Sequence, residues 1–200
     1  MSGRICATLL LTSALVWGCT DEGLPLCKAK LPEMVLQPSD LPNTYEQFDY
    51  GRLARADMPQ GPRGDPFRFG REGGWKARYR RLGSRRISGP LVIESRADLF
   101  ETDDGAVKDL GAHREELRAA VEASDGAARL LADPGFADEG TAMSLTQGSG
   151  PRAVRFLTVA WRIDNATASV VVSGFAGGVS FEEAIALARA QDRRMAGATC

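Results

Sequence analysis

The sequence predicts an α+β fold, an antiparallel β-sheet of about five or six strands covered by two main helices. Three observations carry this. Short segments show apolar residues at every second position, two longer segments show them at helical spacing, and the strand segments are joined by hairpin-length connections. Their order is three strands and a helix, then three strands and a helix again. Strands and helices alternating one by one would point to a parallel sheet; grouped strands point to an antiparallel one.

Pro38-Ser39-Asp40-Leu41-Pro42-Asn43 is a turn cluster, in which proline presets φ and Asp and Asn bond their own backbone. A short strand through Tyr45, Phe48 and Tyr50 follows. Met58 to Gly74, broken by Pro59, Pro62, Pro66 and several glycines, reads as a long surface loop. Trp75, Ala77 and Tyr79 then alternate with Lys76, Arg78 and Arg80, giving a strand with one buried and one basic face. Ser84 to Pro90 is the turn into a second strand, Leu91 to Phe100. There Leu91, Ile93, Ala97 and Leu99 share one face and Glu94, Arg96 and Asp98 the other.

Asp103 and Asp104 put negative charge where a helix N-terminus favours it, and Val107, Leu110, Leu117 and Val121 form its apolar stripe. The helix is expected from about Asp104 to Ala123. Thr141, Met143 and Leu145 alternate as a further strand. Ala153, Leu157, Val159, Trp161 and Ile163 then make one face of a long strand that ends at Asp164-Asn165, a pair suited to a tight hairpin. Thr167 to Phe175 is its partner. Ser180 and Glu183 form a capping box that opens the last helix, through Ala184, Ile185, Leu187, Ala188 and Met195.

Ahead of this domain, Arg4 and the apolar run from Ile5 to Trp17 have the length of a secretory leader; a bilayer span needs about 20 apolar residues. Val16-Trp17-Gly18-Cys19 resembles the lipobox of bacterial lipoproteins, in which an aliphatic, a variable and a small residue precede a cysteine that is acylated and becomes the mature N-terminus. Trp17 is bulkier than the residue usual there. The resemblance implies lipidation of Cys19 and a membrane-anchored location outside the cytoplasm, periplasmic or on the outer cell surface. The chain then divides into a lipoprotein signal peptide (1–18), a tether (19–30) and a single α+β domain (31–200), in keeping with 200 residues and 44% hydrophobic content. With Cys6 leaving in the leader and Cys19 lipidated, Cys27 and Cys200 remain in a compartment that permits disulfides. They are expected to pair, the alternative being two free thiols on frayed termini.

The Asp40-Leu41-Pro42 turn, the Gly74-Trp75 strand start and the Trp161-Arg162-Ile163-Asp164-Asn165-Ala166 hairpin resemble small extracytoplasmic bacterial domains of PsbP or Mog1-like architecture, over most of Met34 to Met195. The resemblance implies a fold and a compartment and carries over no catalytic residue.

The chemistry available is sparse. His113 is the sole histidine and reads as a boundary residue of the first helix, so zinc and Cys-His sites lack ligands. No serine sits in a Gly-x-Ser-x-Gly elbow. Asp103-Asp104 and Asp138-Glu139 have the composition of a cation or acid-base pair, but a helix N-terminus and a strand entrance are ordinary places for carboxylates. Arg63-Gly64-Asp65 spells an adhesion tripeptide on an exposed loop, and Asn165-Ala166-Thr167 a formal glycosylation acceptor. No catalytic residue, metal or cofactor is expected.

The formal charge of −1 argues against general nucleic-acid affinity but conceals an asymmetry: eleven Lys/Arg against three Asp/Glu from Arg52 to Arg86, and five against thirteen from Glu94 to Glu139. Lys76, Arg78, Arg80, Arg81, Arg85 and Arg86 are the candidate anion-binding surface, for a lipid headgroup, an anionic polymer or an acidic protein. The alternative is that this face pairs internally or is merely solvated. The sequence thus favours a membrane-anchored binding or interaction module. The other reading is a small-molecule binder or enzyme with a pocket between sheet and helix, gated by residues 58–74.

Overall fold

The computed structural model describes residues 25–57, 63, 65, 68–83, 88–137 and 139–200. Seven strands form one antiparallel sheet: β1 (Tyr45–Arg52), β2 (Arg71–Arg81), β3 (Val92–Phe100), β4 (Ala128–Leu130), β5 (Glu139–Gln147), β6 (Val154–Ile163) and β7 (Ala166–Phe175). Their spatial order is β1-β2-β3-β7-β6-β5-β4. Two meanders, β1 to β3 and β4 to β7, therefore meet along a β3–β7 seam paired from Val92↔Ser173 to Leu99↔Ala166. Helix α1 (Asp103–Ala123) carries the chain from the seam to the far edge of the sheet, and α2 (Phe181–Ala196) follows β7.

The period-2 patterns decide which face each helix covers. Ile93, Ala97, Leu99, Leu157, Val159, Trp161, Val170 and Val172 all point to one face, where Ala184, Ala188 and Met195 of α2 and the buried segment Met34-Val35-Leu36 close the main core. Alternation along extended strands leaves the other face to α1, which packs through Leu117 on Ala128 and Met143. The sheet therefore lies between two helices. Buried hydrogen bonds tie the main core together: Ser95 Oγ accepts from Leu36 N (2.9 Å) and donates to Gln191 Oε1 (2.7 Å), and Gln191 Nε2 donates to Arg96 O (2.7 Å).

Helix ends follow the expected chemistry. Thr102 Oγ1 accepts from Gly105 N, and Ser180 with Glu183 makes a reciprocal capping box. The β6–β7 hairpin turns at Asp164, whose φ of 47° is tolerated by aspartate better than by most residues. Asn165 then holds the N-terminal segment, its Oδ1 accepting from Leu26 N while its Nδ2 donates to Phe100 O. The Asn165-Ala166-Thr167 acceptor sequence is thereby part of the buried frame, since Asn165 and Thr167 are both covered.

Several elements depart from the expectation. The sheet has a seventh strand, β4, of three residues. Residues 71–74, expected in the long loop, begin β2. Gly74 is needed there because a Cβ would collide with the Asp98 carboxylate and the Leu53 side chain. Residues 25–30, expected in the tether, join the fold: Leu26 is buried and bridges Thr199, and a 3₁₀ turn runs over Lys28–Glu33.

Cys27 and Cys200, 173 positions apart in sequence, come within disulfide geometry with Cα atoms 5.0 Å apart. Cys27 N donates to Ala198 O and Cys200 N to Pro25 O, so backbone hydrogen bonds also hold both ends. A loop of that length gives a chain-entropy contribution of about 5 kcal/mol as an upper bound, since the backbone already orders both ends. The native protein should show no alkylatable thiol at these positions until reduced, and reduction should lower its urea midpoint. Alkylation of both thiols without reductant, read by intact mass, would contradict the pairing.

Candidate functional site

Among the described residues, charge or open space concentrates in several regions. The first lies under α1. Asp109, on the helix face that also carries Leu110 and Leu117, is fully buried and accepts from Arg63 Nε (3.1 Å), Arg63 Nη2 (2.9 Å), Arg71 Nη2 (3.3 Å) and Thr167 Oγ1 (2.8 Å). Arg71 also faces Asp98 at 3.5 Å, and Arg63 faces Glu116 at 3.6 Å. Burial alone would raise the Asp109 carboxyl, but the Arg63 hydrogen bonds and the charges of Arg63 and Arg71 hold it below the ordinary value. The cluster joins α1, β2, β7 and Arg63. Arg63 of the Arg-Gly-Asp tripeptide is thus committed inward, its side chain 11% exposed, contrary to the exposed-loop expectation.

His113, one turn beyond Asp109, belongs to the same neighbourhood. It is half-buried, in keeping with a boundary residue of the helix, and burial of its ring, reinforced by the nearby Arg63 charge, pushes its pKa down to about 3. Its imidazole stays neutral at physiological pH. The acidic pairs are dispersed: Asp103 and Asp104 open α1, Asp104 pairing with Lys108, and Glu139 pairs with Arg114 at 2.7 Å. Asp138 lies outside the described residues. No group of three or more metal-ligating side chains occurs among the described residues.

The second region is the basic strand face. Lys76 bonds Asp49 (2.8 Å) and Asp57 (2.6 Å), Arg78 bonds Asp49 (3.0 Å) and Glu94 (2.7 Å), and Arg80 bonds Glu46 (2.9 Å). The partners are supplied by strand register: Glu46 lies across from Arg80, Asp49 from Arg78, and Glu94 from Arg78 on the other side. Burial opposes the charge on Lys76, yet the hydrogen bonds to Asp49 and Asp57 raise its pKa. This face points away from the core, as alternation requires, but its charge is matched in place. Arg81 turns elsewhere, bonding Ser88 O and lying over the Tyr45 ring at 5.2 Å. Arg85 and Arg86 lie outside the described residues.

The third region is a cleft of about 220 Å³ between α2 and the start of the first meander. Leu41, Pro42, Tyr45, Ile93, Ala186 and Leu187 give it an apolar wall, with Arg81 and Glu183 adding charge. Tyr45 spans it, its hydroxyl donating to Pro90 O at 2.8 Å. The cleft opens between sheet and helix as one sequence reading expected, but none of the described residues of 58–74 lines it. Register sets its place: Tyr45↔Arg81 and Arg80↔Val92 are at one end of the strands, whereas Asn165, Leu26 and the two cysteines gather at the other.

The sequence offered a signal for the buried cluster that composition did not convey. A carboxylate placed beside an apolar helical stripe must meet cations once that stripe is buried, and Asp109 sits next to Leu110.

The fold thus defines a class: an open, seven-stranded antiparallel sheet between two helices, built from two meanders joined at the centre. Among solved structures the chain is similar to the extracellular domain of PknH from Mycobacterium tuberculosis, with a TM-score of 0.62 and 10% identity over 85% of this chain and 97% of that one. At that identity the likeness is one of fold. No family model and no curated protein matched.

The Asp109 cluster makes stability acid-sensitive. The folded Asp109 pKa is depressed, so its contribution is present above the unfolded value of 3.8 and disappears as pH falls through the folded value. His113 adds a loss at milder pH: below 6.5 the unfolded chain takes up a proton that the folded chain refuses until about pH 3. Urea denaturation should therefore show stability falling from about pH 6.5 downward, and His113→Gln should remove the part of that fall above pH 4. At pH 7, Asp109→Asn should cost about 3 kcal/mol or more by leaving Arg63 underpaired. A variant as stable as the parent would contradict the cluster's role.

Proposed function

We propose that the protein is an exported binding module, held on a membrane through an acylated Cys19, that takes a small apolar group in the cleft beneath α2. The observation that carries this reading is the separation of the two ends of the sheet. The described chain enters at Pro25 and Leu26, beside Asn165, so a lipid tether would leave from that rim. The cleft lies at the opposite rim, about 30 Å away for strands of this length. A tethered domain presents its far rim to the surroundings.

The leader, the Cys27–Cys200 geometry and the likeness of fold to a kinase's extracellular domain support the compartment. Size supports the ligand class. A buried apolar cavity of ~150 Å³ holds benzene, so an open cleft of about 220 Å³ suits a single ring or a short branched chain and is below the ~300 Å³ at which drug-sized sites begin. The charge matching of Lys76, Arg78 and Arg80 favours this cleft over an attraction of the whole basic face for anionic surfaces.

Saturation-transfer NMR with indole and p-cresol should detect saturable binding to the purified protein. Ala186→Phe, a change at an exposed helix position that lines the cleft, should abolish it while leaving the melting temperature unchanged. In cells, Cys19→Ser should shift the protein from the membrane to the soluble fraction. Equal probe binding by parent and variant, or no binding by either, would refute the cleft; unchanged membrane partition would refute the tether.

A further inference from the structure

Beyond the cleft, we propose that the pocket between β4, β5 and β6 binds an oxyanion, a phosphate or sulfate group, through Arg129 and Arg155. The pocket has a volume of about 280 Å³ and is lined by Gly126, Ala127, Arg129, Ser144, Thr146 and Arg155. Register brings its polar groups together on one face. Arg129 lies across from Ser144, and Thr146 lies across from Arg155, two positions along the same strands. Successive same-face positions on paired strands are neighbours, so two guanidinium groups and two hydroxyls converge.

The contrast with the first meander is informative. Each cation on the face of β2 meets carboxylates on adjoining strands: Lys76 meets Asp49, Arg78 meets Asp49 and Glu94, and Arg80 meets Glu46. In the second meander the β5 positions across from Arg129 and Arg155 hold hydroxyl residues, and no described residue lining the pocket is a carboxylate. A hydroxyl donates to an oxyanion without bringing a competing charge. The two arginines are therefore placed among donors.

Among the described residues Arg155 Nε is buried and has no hydrogen-bond partner. A nitrogen closed to water is closed to an oxyanion as well, so a pocket ligand would meet this guanidinium through its outer amino groups. Ser144 is itself only 6% exposed, so the pocket floor is built into the sheet. Arginine presents N–H donors in a planar fork that matches two oxygens of a phosphate or sulfate, and Arg129, exposed at the rim, approaches from the other strand. Arg155 pairs with Gly174 near the end of β7, which places the pocket toward the rim away from the Leu26 and Cys27 attachment.

The test titrates the full processed protein in detergent micelles with inorganic phosphate at constant ionic strength, following the arginine Nε–H resonances. A saturable shift of the Arg155 and Arg129 signals is expected. Arg155→Gln should weaken it about tenfold or more, the scale of a lost charge-assisted hydrogen bond. Arg129→Gln, at an exposed position where folding is not in question, should weaken it as well, whereas Arg152→Gln, outside the pocket, should leave it unchanged. Dihexanoyl-phosphatidylglycerol, used below its micelle concentration, separates two sources of the same chemistry: tighter binding than phosphate marks a lipid headgroup, weaker binding a free or sugar-linked phosphate. No saturable shift with either probe, or binding indifferent to both pocket substitutions, would overturn the proposal.

Discussion

The seam between β3 and β7 sets the positions of everything else in this molecule. Eight residue pairs, from Val92↔Ser173 to Leu99↔Ala166, join two meanders that would otherwise be separate three- and four-stranded sheets. Because pairing is antiparallel and side chains alternate, a one-residue slip at the seam would turn Ile93, Ala97, Val170 and Val172 out of the core and Glu94 and Arg96 into it. The register is therefore strongly specified by burial. It also decides which loops share a rim: the Asn165 hairpin, Leu26 and the cysteines at one end, Tyr45, Arg81 and Pro90 at the other.

Electrostatics follows from the same frame. Three solutions for charge appear on the sheet, two on the face opposite the main core and one at the margin of the main-core face. At Asp109 a buried carboxylate is surrounded by two arginines and a threonine hydroxyl, which brings Arg63 against the helix. Along β2 the cations are matched by strand neighbours, so the lopsided charge of the sequence cancels locally. Along β4 to β6 two arginines meet hydroxyls instead, and one N–H is left buried without a partner. A ledger of charge by sequence window cannot distinguish these cases. Distance in space does.

Much of the fold was legible because the strands are half-buried and alternate cleanly. Trp75 to Arg80, Leu157 to Ile163 and the Ser180–Glu183 cap read directly from residue type and spacing. Ala128-Arg129-Leu130 did not, because three residues give too little alternation to register as a strand. The beginning of β2 was hidden by Gly73 and Gly74, which read as loop but admit the close approach of Leu31, Asp98 and Leu53. The sites were less legible than the fold. Asp109 and Arg63 are 46 positions apart, and Arg129 and Arg155 meet only through strand pairing, so neither constellation has a local motif. Tyr45, Pro90 and Leu187 likewise form a cleft from three distant segments.

The functional account rests on the two rims facing different ways. Strands of about ten residues place them about 30 Å apart, a distance well suited to energy transfer. The most direct measurement reconstitutes the protein, acylated at Cys19 as proposed, in vesicles carrying a surface acceptor dye, with a donor introduced as an unnatural amino acid at Asp164 or at Val92. Transfer should be stronger from Asp164, beside the tether, than from Val92, beside the cleft. Equal transfer from the two positions, or stronger transfer from Val92, would contradict a domain that presents its binding rim away from the membrane.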